Sequence, residues 1–281
     1  MRLFLVRHGE TVDNVAGIYA GVRDSPLTAH GVLQAKRLAT YLAIRSSTIG
    51  PVQHVLSSDL QRAADTAQAI VDAQISTVAS QPWSKSGPPT LVQSADLRER
   101  NFGSAEGQRF GFPRDDAETH DEMRVRAERF INNHLDPLLA DLVLGTRPAA
   151  SVVVVSHGIL LNSLLKALLA RYAPSELARL AQPGPAVGQP VYLASWSNTG
   201  YVEAVIGASS PSPGASSTGL TLAAPAITAS PTVPAVTLSV ARVNAVDHLD
   251  GLKKTRGGIG SAQFDRRQRT VDSFFRPVAK D

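Results

Sequence analysis

The chain has no cysteine at all, and only two methionines and two tryptophans among 281 residues. Disulfides, thiolate zinc sites and cysteine nucleophiles are therefore excluded. No apolar run reaches the length of a membrane span. The apolar part of Met1-Arg2-Leu3-Phe4-Leu5-Val6-Arg7 is too short for a secretory signal. A soluble intracellular protein, cytoplasmic and/or nuclear, is the expectation. Charge is missing from one long stretch. Residues 207–235 are mostly Ser, Pro, Ala, Gly and Thr without one ionisable side chain. Such a segment buries too little apolar surface to offset its ordering entropy. Alternation returns at 236–243, so the stretch reads as a low-complexity loop insertion in one domain spanning 1–252. Lengthening a surface loop costs little free energy.

The net charge of +4 is unevenly placed. Residues 253–281 carry eight Lys/Arg and three acids, a balance of +5, which leaves −1 for residues 1–252. The high pI belongs to this basic tail, expected to be flexible, and no direct nucleic-acid binding is expected of the folded part.

What is present is an alternation of strand and helix signals, with hydrophobic content of 43 % to support a core. Residues 2–6 read as a buried strand and 31–43 show helical periodicity. A second strand is expected at 52–56. Ser57-Ser58-Asp59 would cap a helix over 59–73. Residues 77–94 look irregular. Residues 121–144 read as helix, kinked or broken at Pro137. A four-valine strand at 151–155 precedes a helix at 158–172. Residues 191–196 and 201–206 read as a hairpin turning at 197–200. The pattern implies an α/β fold, a mostly parallel sheet with helices on both faces and a small cap region.

Two strand ends share a signature. Leu3-Phe4-Leu5-Val6 runs into Arg7-His8-Gly9-Glu10-Thr11, and Val152-Val153-Val154-Val155 runs into Ser156-His157-Gly158. In a parallel sheet these ends face one edge, where open α/β sheets bind ligands. Arg62 lies shortly after the second strand. Arg7, His8, Arg62 and His157 together would form a positive site suited to a phosphate dianion. A histidine there can act as nucleophile through a phosphohistidine. An acid is needed to protonate the leaving oxygen, and Leu97-Arg98-Glu99-Arg100-Asn101-Phe102-Gly103 offers Glu99. Glu10 and Glu106 are nearby alternatives. The seven histidines show no His-x-His or His-Glu-x-x-His spacing, so no metal site is indicated. His30, His54, His120 and His134 read as surface residues.

Taken in order, these motifs resemble the histidine phosphatase superfamily, in its phosphoglycerate mutase-like branch. The matching residues begin with Arg7-His8-Gly9-Glu10-Thr11 and Asn14, followed by Asp24-Ser25-Pro26-Leu27-Thr28 with Gly31 and Gln34-Ala35. Ser57-Ser58 with Arg62-Ala63 and Thr66-Ala67 come next, then Leu97-Arg98-Glu99 with Phe102-Gly103 and Glu106-Gly107, and Ser156-His157-Gly158. Asn244 with His248-Leu249 resembles the closing strand of that family. The resemblance implies His8 as the phosphorylated nucleophile and Glu99 as general acid and then base. It implies Arg7, Arg62 and His157 as holders of the phosphoryl oxygens, with Asn14 completing that pocket and no cofactor. The mutases carry a long insertion after the glutamate motif. Here residues 107–121 are only fifteen, a short cover that leaves a phosphohistidine open to water. A phosphatase acting on a phosphorylated substrate is therefore expected before a phosphoglycerate mutase. Arg98, Arg100 and Arg109 could hold a second anionic group, or be surface charges.

The tail carries a separate signal. Gln268, Val271, Phe274 and Phe275 within residues 268–275 resemble the PIP-box that docks on the sliding clamp, proliferating-cell nuclear antigen. Val271, Phe274 and Phe275 at i, i+3 and i+4 would share one face of a helical turn. Lys253-Lys254-Thr255-Arg256 fits a nuclear location. A clamp-binding adaptor with weak or vestigial catalysis is thus a third expectation, from a different class.

Overall fold

A computed structural model of the chain describes residues 1–78, 87–143, 145, 150–180, 193–208, 236–254 and 259–265. Strand β1 (Arg2–Arg7) leads through α1 (Val12–Ala16) to α2 (Ala29–Ile44) and α3 (Ser46–Ile49). β2 (Val52–Ser58), α4 (Gln61–Val78) and β3 (Thr90–Ser94) follow. α5 (His120–Phe130) and α6 (Asp136–Val143) precede β4 (Ser151–Ser156). α7 (Gly158–Tyr172), α8 (Pro174–Leu180), β5 (Tyr201–Ala208) and β6 (Val236–Ala245) complete the order.

The six strands form one sheet in the order β3-β2-β4-β1-β5-β6. The first four are mutually parallel, and β5 and β6 are antiparallel additions on one side. This is the α/β, mostly parallel architecture expected. The valines of β4 explain why it lies inside the sheet: every residue of the strand is buried. Side chains alternate between faces along a strand. Val152 and Val154, with Leu3 and Leu5 of β1, pack under α5 and α7. Val153 and Val155, with Phe4 and Val6, pack under α2 and α4. Both sheet faces are thus covered, as continuous apolar strands require.

Several expectations need correction. Thr90–Ser94, read as irregular, is an edge strand beside β2. Residues 193–196 are not in a strand, and the place beside β1 is taken by β5. Helix α4 begins at Gln61, whose N–H is capped by Asp24 Oδ1 at 2.9 Å, while Asp59 is engaged by Arg98. The helical run 120–143 continues through Pro137, which distorts it, as expected, without breaking it. The irregularity falls just before it, as a π-helical turn over Ile131–Leu135. His30 is buried at the start of α2, beside the residues that the chain's later part contacts. That part, within the basic tail, hydrogen-bonds along Leu27–Ala29 through Ala262 and Phe264. The motif residues Gln268, Val271, Phe274 and Phe275 lie outside the described residues, as does most of 207–235.

Candidate active site

The register of two strands builds the centre. β1 pairs with β4 so that Arg7 stands opposite Ser156. The next residue on each strand is a histidine, so His8 and His157 leave the sheet side by side. Their ring centroids are 5.0 Å apart, tilted by 56°. The His8 N–H donates to Ser156 O at 3.0 Å, extending the ladder one step past the strands. Both histidines are buried.

Hydrogen bonds assign each imidazole its tautomer. His8 Nδ1 lies 2.7 Å from the carbonyl of Gly9, which can only accept. The proton therefore sits on Nδ1, and Nε2 carries the free lone pair. His157 Nδ1 accepts from Arg62 Nε at 3.2 Å. Its proton is then on Nε2, a buried N–H with no partner. Burial, reinforced by the charges of Arg62 and Arg7, holds His8 well below the ordinary imidazole range. Burial and Arg62 do the same to His157. Both rings are neutral near pH 7.

The guanidinium groups are fixed by carbonyls. Arg62, in the first turn of α4, is 1 % exposed. It donates to Arg23 O at 2.7 Å and to Gly21 O at 2.6 Å. Three of its N–H groups are engaged, and a guanidinium has five. Arg7 donates to Trp196 O at 2.5 Å, while its Nε is buried without a partner. Buried donors without acceptors are rare in folded proteins. Arg7 Nε and His157 Nε2, both beside His8, mark a place for an anion.

The loop after His8 is clamped on both sides. A Cβ on Gly31 would lie 2.1 Å from Glu10 O, so α2 can approach this closely only with glycine there. Opposite, Thr199 holds a left-handed backbone (φ 56°). Its N–H reaches Arg7 O at 3.1 Å and His8 O at 3.2 Å. Such a conformation costs a β-branched residue free energy, and the surroundings must hold it. Here Thr199 Oγ1 bonds Asn198 O at 2.7 Å and the buried His248 Nε2 at 2.9 Å. Asn198 Nδ2 in turn reaches His8 O and Asn14 Oδ1. Asn14 caps its own helix through the same oxygen, which leaves its amide nitrogen for a ligand.

Glu99 reaches the site from the loop after β3. Its carboxylate accepts N–H groups from Ile159 and Leu160 in the first turn of α7, at 3.3 and 3.1 Å. Acids are favoured at a helix N-terminus. The alternatives Glu10 and Glu106 are committed elsewhere. Glu10 is held by Thr28 and Lys254, and Glu106 by the N–H groups of Val22 and Phe102.

Arg7, His8, Asn14, Arg62 and Glu99 line one cavity of about 580 Å³. Its remaining wall includes Tyr19, Phe102, Phe110 and Trp196. A wider groove of about 970 Å³ also touches Glu99. It is rich in acids, and its Arg126 and Arg129 are paired with Glu118 and Asp96. A phosphate dianion fits the first, which has free positive donors. Among the described residues no three His, Asp or Glu are placed to hold a metal ion.

Sequence reasoning missed Tyr19, Trp196, Asn198, Thr199 and the contact of His248 with Thr199. The polar turn Asn198-Thr199-Gly200 was visible as a turn, but nothing local shows that it grips His8. Arg98, considered for a second anion, is instead bound bidentately to Asp59.

A model of the histidine phosphatase superfamily (branch 1) matches residues 3–188, and the chain belongs to that superfamily. Among its relatives, a probable phosphatase of Schizosaccharomyces pombe is 31 % identical over 284 residues, covering 96 % of this chain and 78 % of the relative. A probable phosphoglycerate mutase of an Enterobacter species is 30 % identical over 219 residues, covering 74 % and 93 %. A solved mycobacterial glucosyl-3-phosphoglycerate phosphatase, in complex with VO3, shares the fold with a TM-score of 0.53. It is 20 % identical and aligns over 87 % of this chain and 99 % of its own.

Proposed function

We propose that this protein is a metal-independent phosphomonoesterase working through a phosphohistidine on His8. The observation that carries the reading is the neutral His8 with its lone pair on Nε2, packed against the buried His157 and lining one cavity with Arg7 and Arg62. Nε2 attacks phosphorus in line, and the P–O bond to the leaving group breaks. Arg7, Arg62 and His157 donate to the phosphoryl oxygens as charge builds on them. Asn14 adds its amide N–H. Glu99 delivers a proton to the leaving oxygen. The resulting carboxylate then takes a proton from water. The water oxygen attacks phosphorus, the P–N bond breaks, and phosphate leaves with the His8 lone pair restored. The short cap over residues 107–121 supports water as final acceptor over return of the phosphoryl group to a bound product.

Hydrolysis of 4-nitrophenyl phosphate in the presence of a chelator tests this. His8→Ala should abolish it, and Glu99→Gln should trap an acid-labile phosphohistidine on wild-type His8. Retained turnover in His8→Ala would refute the mechanism. A mutase assay with phosphoglycerate separates the other enzyme reading. For the tail we propose docking on the sliding clamp through Gln268, Val271, Phe274 and Phe275, which rests on the sequence pattern. A clamp pull-down that Phe274→Ala/Phe275→Ala leaves unchanged would refute it.

A further inference from the structure

The cavity has two chemically different ends. One holds His8, Arg7 and Arg62. The other is walled by rings. Tyr19 sits between Phe102 and Phe110, with ring centroids 4.8 and 4.9 Å away in tilted contacts. Phe110 lines the cavity and is still 60 % exposed, so it has apolar surface to give to a ligand. With Tyr19 and Phe102 it makes a continuous aromatic wall beside the polar centre.

These rings are held in place by the backbone of the cap. Tyr19 N–H donates to Gln108 O at 2.9 Å, Gly107 N–H to Tyr19 O at 2.8 Å, and Phe110 N–H to Gly17 O at 2.9 Å. Tyr19 Oη accepts the N–H of Gly111 at 3.1 Å. The wall is therefore preformed, which lowers the ordering cost of binding.

No cation lines this end of the cavity among the described residues. Among the described residues Arg7 and Arg62 are the only cations lining the cavity, and both face the phosphoryl position. Arg98 is bound by Asp59, and Arg100 donates to Glu118 O at 2.6 Å. Arg114 stacks on the Tyr19 and Phe102 rings, 5.2 and 5.8 Å from their centroids, and does not line the cavity. A carboxylate next to the phosphate would meet no lining cation beyond those two among the described residues.

Resting on the phosphatase reading above, we propose that the leaving group accepted here is an apolar, ring-bearing alcohol or phenol, bound against Tyr19, Phe102 and Phe110. It is preferred over a carboxylated sugar acid, for which the lining offers no further cation. The cavity of about 580 Å³ falls within the size range of ordinary ligand pockets and has room for a ring beyond the phosphoryl group.

The test uses the full chain and substrates of matched chemistry. Benzyl phosphate and glycerol 3-phosphate are both alkyl esters, so their leaving groups differ little in basicity while only one carries a ring. Wild type should show kcat/KM for benzyl phosphate about tenfold or more above glycerol 3-phosphate and 3-phosphoglycerate. Phe110→Ala should reduce that ratio by about tenfold, and Phe110→Leu should restore part of it. Phe110 is exposed, so neither variant threatens the core. Calorimetry with non-hydrolysable benzylphosphonate against methylphosphonate reads the same preference without turnover. A ratio near one, or a preference for 3-phosphoglycerate, overturns the inference and leaves the phosphatase reading intact. Benzylphosphonate preference without hydrolysis of any ester supports the ring site and overturns the phosphatase reading. Neither turnover nor binding preference overturns both.

Discussion

Acid should loosen this fold through histidines that the structure keeps neutral, and His248 gives the size of one such contribution. Thr199 Oγ1 gives its own proton to Asn198 O, so it must accept from His248 Nε2. The added proton of a charged imidazole would go to Nδ1, which is buried with no acceptor. Burial holds His248 down to about 4, from an ordinary 6.5, against the opposing pull of Asp247 and Asp250. The sign follows. The unfolded chain takes up this proton near pH 6.5 and the folded protein does not until about 4. Stability is therefore complete above pH 6.5 and falls as pH drops towards 4. A difference of this size corresponds to about 3 kcal/mol, reduced to about 2 kcal/mol by partial screening from solvent. Between pH 6.5 and 5 the slope from one such group approaches 1.4 kcal/mol per pH unit. His8 and His157, both also held well below their ordinary range, act in the same direction. Urea unfolding at pH 7.5, 6.5, 5.5 and 5.0 measures the total. In His248→Gln an amide N–H replaces the Nε2 donor without a titrating group, so its slope should be shallower by about 1 kcal/mol per pH unit. Parallel curves for variant and wild type would refute the argument. The carboxylates with depressed values, such as Asp59 and Asp247, lose their contributions below about pH 3.8 and stay outside this window.

Other consequences follow from single contacts. Gly31→Ala places a methyl 2.1 Å from Glu10 O and 2.8 Å from Glu10 N. It should cost about 1–3 kcal/mol in urea unfolding and lower kcat by moving the His8 loop; an unchanged midpoint would contradict the close approach. Arg62→Lys loses the planar fork that spans Gly21 O, Arg23 O and His157 Nδ1. Aryl phosphate turnover should fall about 10²–10³-fold, and near-normal kcat would mean that simple charge suffices. Glu99→Gln should lower kcat/KM, which ends at phosphorylation of His8, by about 10²–10⁴-fold for alkyl phosphates and much less for aryl phosphates with good leaving groups. Equal losses of kcat/KM for both ester types would remove Glu99 from protonation of the leaving oxygen.

The elements that were legible are those with an internal cause. β4 announces itself because four valines in a row suit only a strand buried on both faces, and α7 because its leucines follow a helical period up to Tyr172. β3 was not legible. Thr90–Ser94 is half exposed at the sheet edge and shows little of the burial that makes a strand readable. Residues 193–196 misled for the opposite reason, being apolar without being a strand. Four of their backbone groups are bound by side chains instead of by a neighbouring strand. Asn162 Oδ1 accepts from the N–H groups of Leu193 and Ala194, its Nδ2 reaches Ala194 O, and Arg7 takes Trp196 O. These contacts draw the segment away from pairing with β5 as a hairpin. The same contact ties Arg7 in place, so the misread segment is part of the site.

The site divides along the same line. His8 and His157 could be found from sequence because parallel pairing turns two identical strand ends into neighbours, and a local motif then determines a tertiary contact. The grip on the His8 loop has no such shortcut. Thr199 and His248 are 49 positions apart, and Asn198 meets Asn14 across 184. Each is an ordinary polar residue until the antiparallel strands β5 and β6 bring them to the sheet edge. The ring wall is similar, since Tyr19 meets Phe102 and Phe110 only because the cap loop hydrogen-bonds back onto residues 17–19. Phosphoryl chemistry therefore resides in strand ends, where sequence and geometry are locked together by register. Choice of leaving group resides in loops whose geometry depends on what they fold against. A loop can change its rings without disturbing the strand register beneath it, so the motif around His8 constrains the reaction far more tightly than it constrains the substrate.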